Sequence, residues 1–332
     1  MHPELFKIPF TELTVKTYGL LMVLGFLSAV WLIRRLSKDI TPNPDMITNA
    51  ALYSLIAGVF GARLFYVVHY RENLLNFFVI WNGGLELLGG VIFAVTVIFL
   101  YLRYHKLPAR QYLDILAVAL MLALAIGRIG CFFSGCCYGK PADVSWAVRF
   151  PYSSDAYRSQ VEPNPKRNRA EPHLKLPDDY FGYTGEDGSF YPGLKPYDKL
   201  TEAQKILVGN GSLECLPVHP TQLYSSGIAA VNCLILFVFW KRNRKIAQEK
   251  KQKKLLSQPG SVFALMFLLY GTVRFFIEFF RDDNPFEYAW WAVYKGGTIS
   301  QNISIYLFIS GWILLIALQK VKPKQIAKRK GR

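Results

Sequence analysis

Seven stretches of the chain are apolar on most faces and close to the roughly 20 residues that a helix needs to cross a hydrocarbon core. They fall near residues 16 to 34, 47 to 69, 84 to 102, 111 to 133, 219 to 240, 260 to 280 and 300 to 319. Each is too long for a strand, and a backbone in lipid must satisfy its own hydrogen bonds, so the pattern predicts helices. Between the fourth and fifth runs lies a polar stretch, roughly Tyr138 to Pro217, rich in Pro, Tyr, Asp and Asn. The expected fold is an all-α integral membrane protein of about seven transmembrane helices. Helices 1–4 occupy 1–137, an extracytoplasmic insert 138–217, helices 5–7 residues 218–319 with a basic loop at 241–258, and a basic tail 320–332. The insert reads as a small lid or docking subdomain, or equally as an ordered loop outside the chemistry. The first run is long and its basic residues follow it, so it is expected to stay as an anchor and not to be a cleaved signal. No internal repeat points to a transporter built from inverted halves.

Charge changes this picture only through its placement. The chain has 332 residues, 52% hydrophobic and 19% charged, with 39 Lys+Arg against 23 Asp+Glu and a net charge of +16. In a soluble protein that balance would suggest nucleic acid. Here 21 of the 39 basic residues lie at one set of span ends: Arg34, Arg35 and Lys38, then Arg103, Lys106 and Arg110, eight from Lys241 to Lys254, and seven from Lys320 to Arg332. Five lie on the opposite short segments: Lys7, Lys16, Arg71, Arg281 and Lys295. The positive-inside rule then predicts an outside N-terminus and a cytoplasmic C-terminus. The excess becomes a topology signal with affinity for anionic membrane lipids, and no nucleic-acid partner is expected. Five cysteines without C-x-x-C spacing indicate neither a zinc ribbon nor a haem site.

Three arginines sit within apolar runs: Arg63, Arg128 and Arg274. An ionisable residue there costs several kcal/mol and marks a functional site by default. All three lie towards the outer ends of their runs, which predicts convergence on one pocket; the alternative is that each snorkels or pairs with an acid. Tyr270, Arg274, Glu278 and Arg281 form a stripe at i, i+4, i+8 and i+11, in which Glu278 either orients guanidinium groups or locks helices together. Around Arg128, the run GRIGCFFSGCCYGKP places Gly127, Gly130, Gly135 and Gly139, which permit close helix packing or approach of a ligand. A guanidinium fork matches a phosphate oxygen pair, and phospholipid headgroups supply phosphate at that depth. In VHPTQLYSS, Pro220 suits a helix start and His219, Gln222 and Ser226 share a side. His219 reads as a base, a headgroup donor or a helix-start partner.

With these motifs the chain resembles the prolipoprotein diacylglyceryl transferase family. The resemblance runs through TYGLLMVLGF at Tyr18, GARLFY at Arg63, WNGG leading to LLGG near Gly89, GRIGCFFSGCCYG at Arg128, HPTQLY at His219, YGTVRFFIEFFR at Arg274 and SQNIS at Gln301. It implies transfer of the diacylglyceryl group of phosphatidylglycerol to the lipobox cysteine of a prolipoprotein, with release of glycerol phosphate, at the outer leaflet of a bacterial inner membrane. It implies catalytic roles for Arg128, Arg274, Tyr18 and His219. Substrate binding would involve Arg128, Arg63, Gly130, Gly139, Gln222, Glu278 and Arg281, with no metal or cofactor. Departures stand out beside the match: Cys131, Ser134 and Cys136 replace two Asn and a Glu of the family pattern, Leu88 a frequent His, and Ser225 a Glu. They leave the general base open between Tyr18, His219 and the phosphate. They also motivate a second reading, a noncatalytic relative that binds anionic phospholipid or prolipoprotein. Finally, Cys136 or Cys137 bridged to Cys215 would tie the ends of the insert together; the alternative is small buried thiols filling tight packing.

Overall fold

The structure, a computed structural model, describes residues 4–7, 14–71, 77, 84, 86–185, 188–248 and 256–320. The expected helices are present as α1 Thr17–Ser37, α2 Asp45–His69, α3 Leu87–Tyr104, α4 Ala109–Ser134, α7 Thr221–Gln248, α8 Ser261–Ile277 and α9 Ile299–Lys320. Two shorter helices, α5 Asp155–Val161 and α6 Glu202–Asn210, lie between α4 and α7. Two small antiparallel ladders qualify the all-α expectation: β1 Glu4–Lys7 with β2 Thr14–Lys16, and β3 Phe181–Thr184 with β4 Phe190–Leu194.

Among the described residues, six helices are long and apolar enough to cross a membrane: α1, α2, α4, α7, α9, and α8 together with the 3-10 turn that carries it to Phe280. The apolar part of α3, Leu88–Tyr104, is shorter. It starts later than its hydrophobic run because Gly84 has φ +76° and Glu86 is extended, so helical geometry begins only after them. Large apolar side chains such as Trp31, Ile56, Val95, Leu234 and Ile313 are exposed, an arrangement suited to lipid and costly in water.

The chain divides into two compact units, whose boundaries fall within α1, α4, α7, α8 and α9. The unit made of residues 27–120, 236–265 and 314–332 is organised by glycines. A Cβ on Gly61 would lie 2.6 Å from the Gly89 carbonyl oxygen, and one on Gly89 would lie 2.4 Å from that of Gly61, so α2 and α3 cross with backbones in contact. In the same unit Asp114 of α4 caps α8: its carboxylate accepts from Gly260 N at 2.7 Å and Phe263 N at 2.9 Å. These are donors that a helix start leaves without intrahelical partners.

The unit made of 1–26, 121–235 and 266–313 contains a separate core built by the residues after α4. Tyr138, Phe150, Tyr152, Tyr157, Val161, Tyr180, Leu200 and Val208 are buried together with Cys215 and Val218. Polar groups inside it are matched. The Tyr157 hydroxyl donates to Leu213 O at 2.7 Å, and Gln160 bonds both the N–H and the carbonyl of Leu216. Helix α6 opens on a capping box, Thr201 with Gln204. Cys215 is buried and its thiol faces Gln160 Oε1 at 3.5 Å; all five cysteines are free. The bridge from Cys136 or Cys137 to Cys215 is therefore not made, because those two thiols gather with Cys131 instead.

Candidate functional site

The site grows from the way α4 ends. The helix stops at Ser134, Gly135 takes φ +74° and Cys137 φ +58°, and these two left-handed residues turn the chain sharply. Beyond the turn, Gly139 forms an antiparallel bridge with Arg281, Lys140 N donates to Phe280 O at 2.8 Å, and His219 N donates to Lys140 O at 3.1 Å. Only glycine fits at 139: a Cβ there would lie 2.4 Å from the His219 carbonyl oxygen and 2.9 Å from that of Phe280. The first turn of α7 fastens the reversal from the other side. Thr221 Oγ1 donates to Cys137 O at 2.8 Å and Gln222 Nε2 to Cys136 O at 2.7 Å.

Beside this junction is a small, partly open cleft of about 20 Å³, lined by Leu124, Arg128, Ser225, Asn232, Tyr270 and Arg274 among others. Two arginines expected to converge thus share one cleft. Arg128 Nη1 donates to Cys137 Sγ at 3.4 Å, and no carboxylate pairs with it among the described residues. Arg274 Nη2 donates to Ser300 Oγ at 2.8 Å, while its Nη1 lies 2.7 Å from Glu278 Oε2 without hydrogen-bond alignment. Nη1 is buried against the Glu278 carboxylate and makes no hydrogen bond.

Glu278 is fully buried and serves several partners: Arg274, Arg281 Nε at 3.8 Å, and Asn284 Nδ2, which donates to Oε1 at 2.5 Å. These contacts place its carboxylate between the two guanidinium groups. Arg281 is held by a two-point contact with Asp283, so its guanidinium is committed beside the cleft and does not line it.

The remaining expected residues are distributed more widely. Tyr18 packs on Gly130, where a Cβ would lie 3.4 Å from Tyr18 Cδ2, and its ring is partly exposed. His219 Nδ1 is 3.2 Å from the Tyr224 hydroxyl, which also accepts from Trp146 Nε1 at 2.6 Å, and the His219 ring meets Phe280 edge to face. Gln222 and Gly139 shape the reversal and are not on the cleft wall. Arg63 belongs to the other unit. Its guanidinium donates to Phe77 O and Gly84 O and lies over the Tyr66 ring, and it is not among the residues that line this cleft.

Two features escaped the sequence reading. Ser225 and Asn232, one pair of turns apart on α7, supply polar wall to the cleft, a signal visible as i, i+7 polar positions in an apolar helix. The thiols of Cys131, Cys136 and Cys137 lie within 4.8 Å of one another. Cys137 is pulled below the ordinary thiol range, chiefly by hydrogen bonds from the other two thiols and then by the charges of Arg281 and Arg128. The C-x4-C-C spacing carries no hint of this, because the cluster exists only through the turn at Gly135.

A helical membrane protein with a guanidinium-lined cleft is equipped to hold an anion next to lipid. The sequence family of prolipoprotein diacylglyceryl transferase matches residues 3–317, and the chain belongs to it. Similar proteins carry the name phosphatidylglycerol–prolipoprotein diacylglyceryl transferase. That of Proteus mirabilis (strain HI4320) is 28% identical over 95% of this chain and 92% of the relative. That of Clostridium tetani (strain Massachusetts / E88) is 27% identical over 94% and 95%, and that of Corynebacterium glutamicum (strain R) 27% over 92% and 79%.

Proposed function

We propose that this chain transfers the diacylglyceryl group of phosphatidylglycerol to the lipobox cysteine of a prolipoprotein and releases glycerol phosphate. The observation that carries this reading is the pair Arg128 and Arg274 on one cleft, with Arg274 Nη1 buried and lacking a hydrogen-bond partner. In the reaction the acceptor sulfur forms a bond to the glycerol carbon, the carbon–oxygen bond to phosphate breaks, and the electron pair leaves with glycerol phosphate. Guanidinium groups act on both ends of this step, holding the acceptor as thiolate and stabilising charge that builds on the leaving phosphate. The thiol proton goes to Tyr18, to His219 or to the phosphate, and pH–rate profiles of Tyr18→Phe and His219→Gln distinguish the three.

The proposed setting is a bacterial inner membrane crossed seven times, α3 being the seventh span, with the N-terminus outside and the C-terminus cytoplasmic. Support comes from the basic residues between Lys241 and Lys254 and beyond Lys320. The cleft then opens to the outer leaflet, and residues 138–217 form an extracytoplasmic insert. A reporter fused after Leu194 should be active outside, and one fused after Lys245 should be active inside.

The direct test gives the purified protein labelled phosphatidylglycerol and a lipobox peptide. Thioether-linked peptide and free glycerol phosphate are expected. Lipid and peptide binding without product, under conditions in which a relative turns over, would leave the noncatalytic reading that Cys131, Ser134, Cys136 and Ser225 motivate.

A further inference from the structure

We infer that Cys131, Cys136 and Cys137 form a three-thiolate site for a zinc ion whose fourth position is open to an external thiol. Three Sγ atoms within 4.8 Å of one another offer three ligands from two rigid directions, one from the last turn of α4 and two from the reversal after it. In a tetrahedral zinc site with bonds near 2.3 Å the sulfurs would stand roughly 3.8 Å apart. At most about 1 Å of contraction separates the two arrangements, within reach of rotamer adjustment at the helix end. Thiolate sulfur selects this class of metal, whereas carboxylate and carbonyl sites select harder cations.

The scaffold is already fixed. Gly135 and Cys137 hold the left-handed turn, and the carbonyls of Cys136 and Cys137 are taken by Gln222 and Thr221. Those carbonyls are thus not spare ligands, and among the described residues no fourth His, Cys, Asp or Glu joins the group. Three protein ligands with the fourth supplied from outside is the composition of a reactive zinc centre, not of a closed structural one. Three thiolates on a divalent cation leave one negative charge, and a fourth thiolate leaves two. Arg128, which donates to Cys137 Sγ at 3.4 Å, supplies part of the compensation.

Resting on the transferase reading, the external thiol is the acceptor cysteine. Coordination lowers the thiol's hold on its proton, which passes to the same acceptor as in that reading (Tyr18, His219 or the phosphate), and keeps the sulfur as thiolate next to Arg128, which lines the cleft. The subsequent step forms the sulfur–carbon bond and breaks the carbon–oxygen bond to phosphate. Zinc keeps its oxidation state throughout, so neither oxidant nor reductant enters.

The test uses full-length protein purified under reductant, stripped with chelator and titrated with zinc, then with cobalt, in the absence of lipid. One equivalent of zinc per chain and a thiolate-to-cobalt charge-transfer band are expected. Both should be lost in Cys136→Ser and in Cys131→Ser and kept in Cys233→Ser. Adding a lipobox peptide should intensify the band, and its Cys→Ser counterpart should not. Equal zinc binding by wild type and the two cluster variants overturns the site, as does a cobalt spectrum indifferent to the thiol peptide. Thermal unfolding of each stripped variant shows whether a loss of metal reflects misfolding; if so, zinc protection of Cys131, Cys136 and Cys137 from alkylation in wild type decides, and equal labelling with and without zinc counts against the site. Since these readouts involve no turnover, transfer by a zinc-free enzyme refutes this inference alone, and zinc binding without transfer refutes only the transferase reading.

Discussion

Arg274 Nη1 stands 2.7 Å from Glu278 Oε2, one helical turn along, in ionic contact but without hydrogen-bond alignment. The contact orients the guanidinium, whose Nη2 donates to Ser300 Oγ at 2.8 Å. A planar fork meets Ser300 and Glu278 with separate nitrogens beside the cleft, and a point charge on a flexible stem would not reproduce that arrangement. Arg274→Lys should therefore lower kcat by about 10²–10³-fold, the range for losing one preorganised donor to developing charge. Initial rates with labelled phosphatidylglycerol check this, and near wild-type turnover would remove the fork from the mechanism.

Glu278→Gln should act mainly on stability. Its side chain is fully buried between Arg274 and Arg281, and breaking a buried pair leaves a charge without compensation, at a cost of about 3–5 kcal/mol. Denaturant titration in detergent micelles should show an earlier midpoint. An unchanged midpoint would mean that Asp283 alone balances the arginines.

Gly139→Ala tests the junction of three chain segments. The added methyl would lie 2.4 Å from the His219 carbonyl oxygen, so the bridge to Arg281 must open. Activity should fall by about tenfold or more, since small misplacements of positioning groups are costly in rate. Gly193→Ala, where nothing lies within 4 Å of the new methyl, serves as the matched control and should turn over normally.

Asp114→Ala removes the acceptor for Gly260 N and Phe263 N at the start of α8. A lost helix cap costs about 1–2 kcal/mol. The drop should appear in unfolding midpoints with little change in KM, and Asp114→Asn, which retains one acceptor oxygen, should lose less. A KM effect as large as the stability effect would contradict a purely capping role.

The Cys215 thiol is pushed up to about 11 by burial. Its folded value lies above the unfolded one, so this group contributes stability that is fully present below the ordinary thiol range and is lost as pH rises through about 11. At pH 8 the folded protein should leave Cys215 unlabelled by maleimide, and denaturant should expose it. Mass spectrometry of the peptide around Cys215 reads both states; rapid labelling of the folded protein would show the thiol to be accessible.

The long helices were legible from composition and run length, because lipid demands that apolar backbone close its own hydrogen bonds. Arg128 and Arg274 were legible as partners for the same reason: charges in such helices turn away from lipid. Arg63 met the same criterion, but the carbonyls of Phe77 and Gly84 to which it donates follow it by 14 and 21 residues and carry no side-chain signature, so these partners were not legible. Of the two readings of Cys215, a bridge or a small buried thiol, the structure shows the buried thiol. Spacing along the chain brackets the insert with thiols, but the left-handed turn at Gly135 sends Cys136 and Cys137 back to Cys131, and the core around Tyr157 and Gln160 encloses Cys215.

Hydrophobic length and charge placement are local properties, so they fixed where helices run and which arginines were costly enough to need a purpose. Which groups share the cleft, which arginine serves backbone carbonyls, and which thiols meet depend on reversals and close glycine contacts between distant segments. Those contacts are set by the packing of the whole chain, and only the three-dimensional arrangement could decide them.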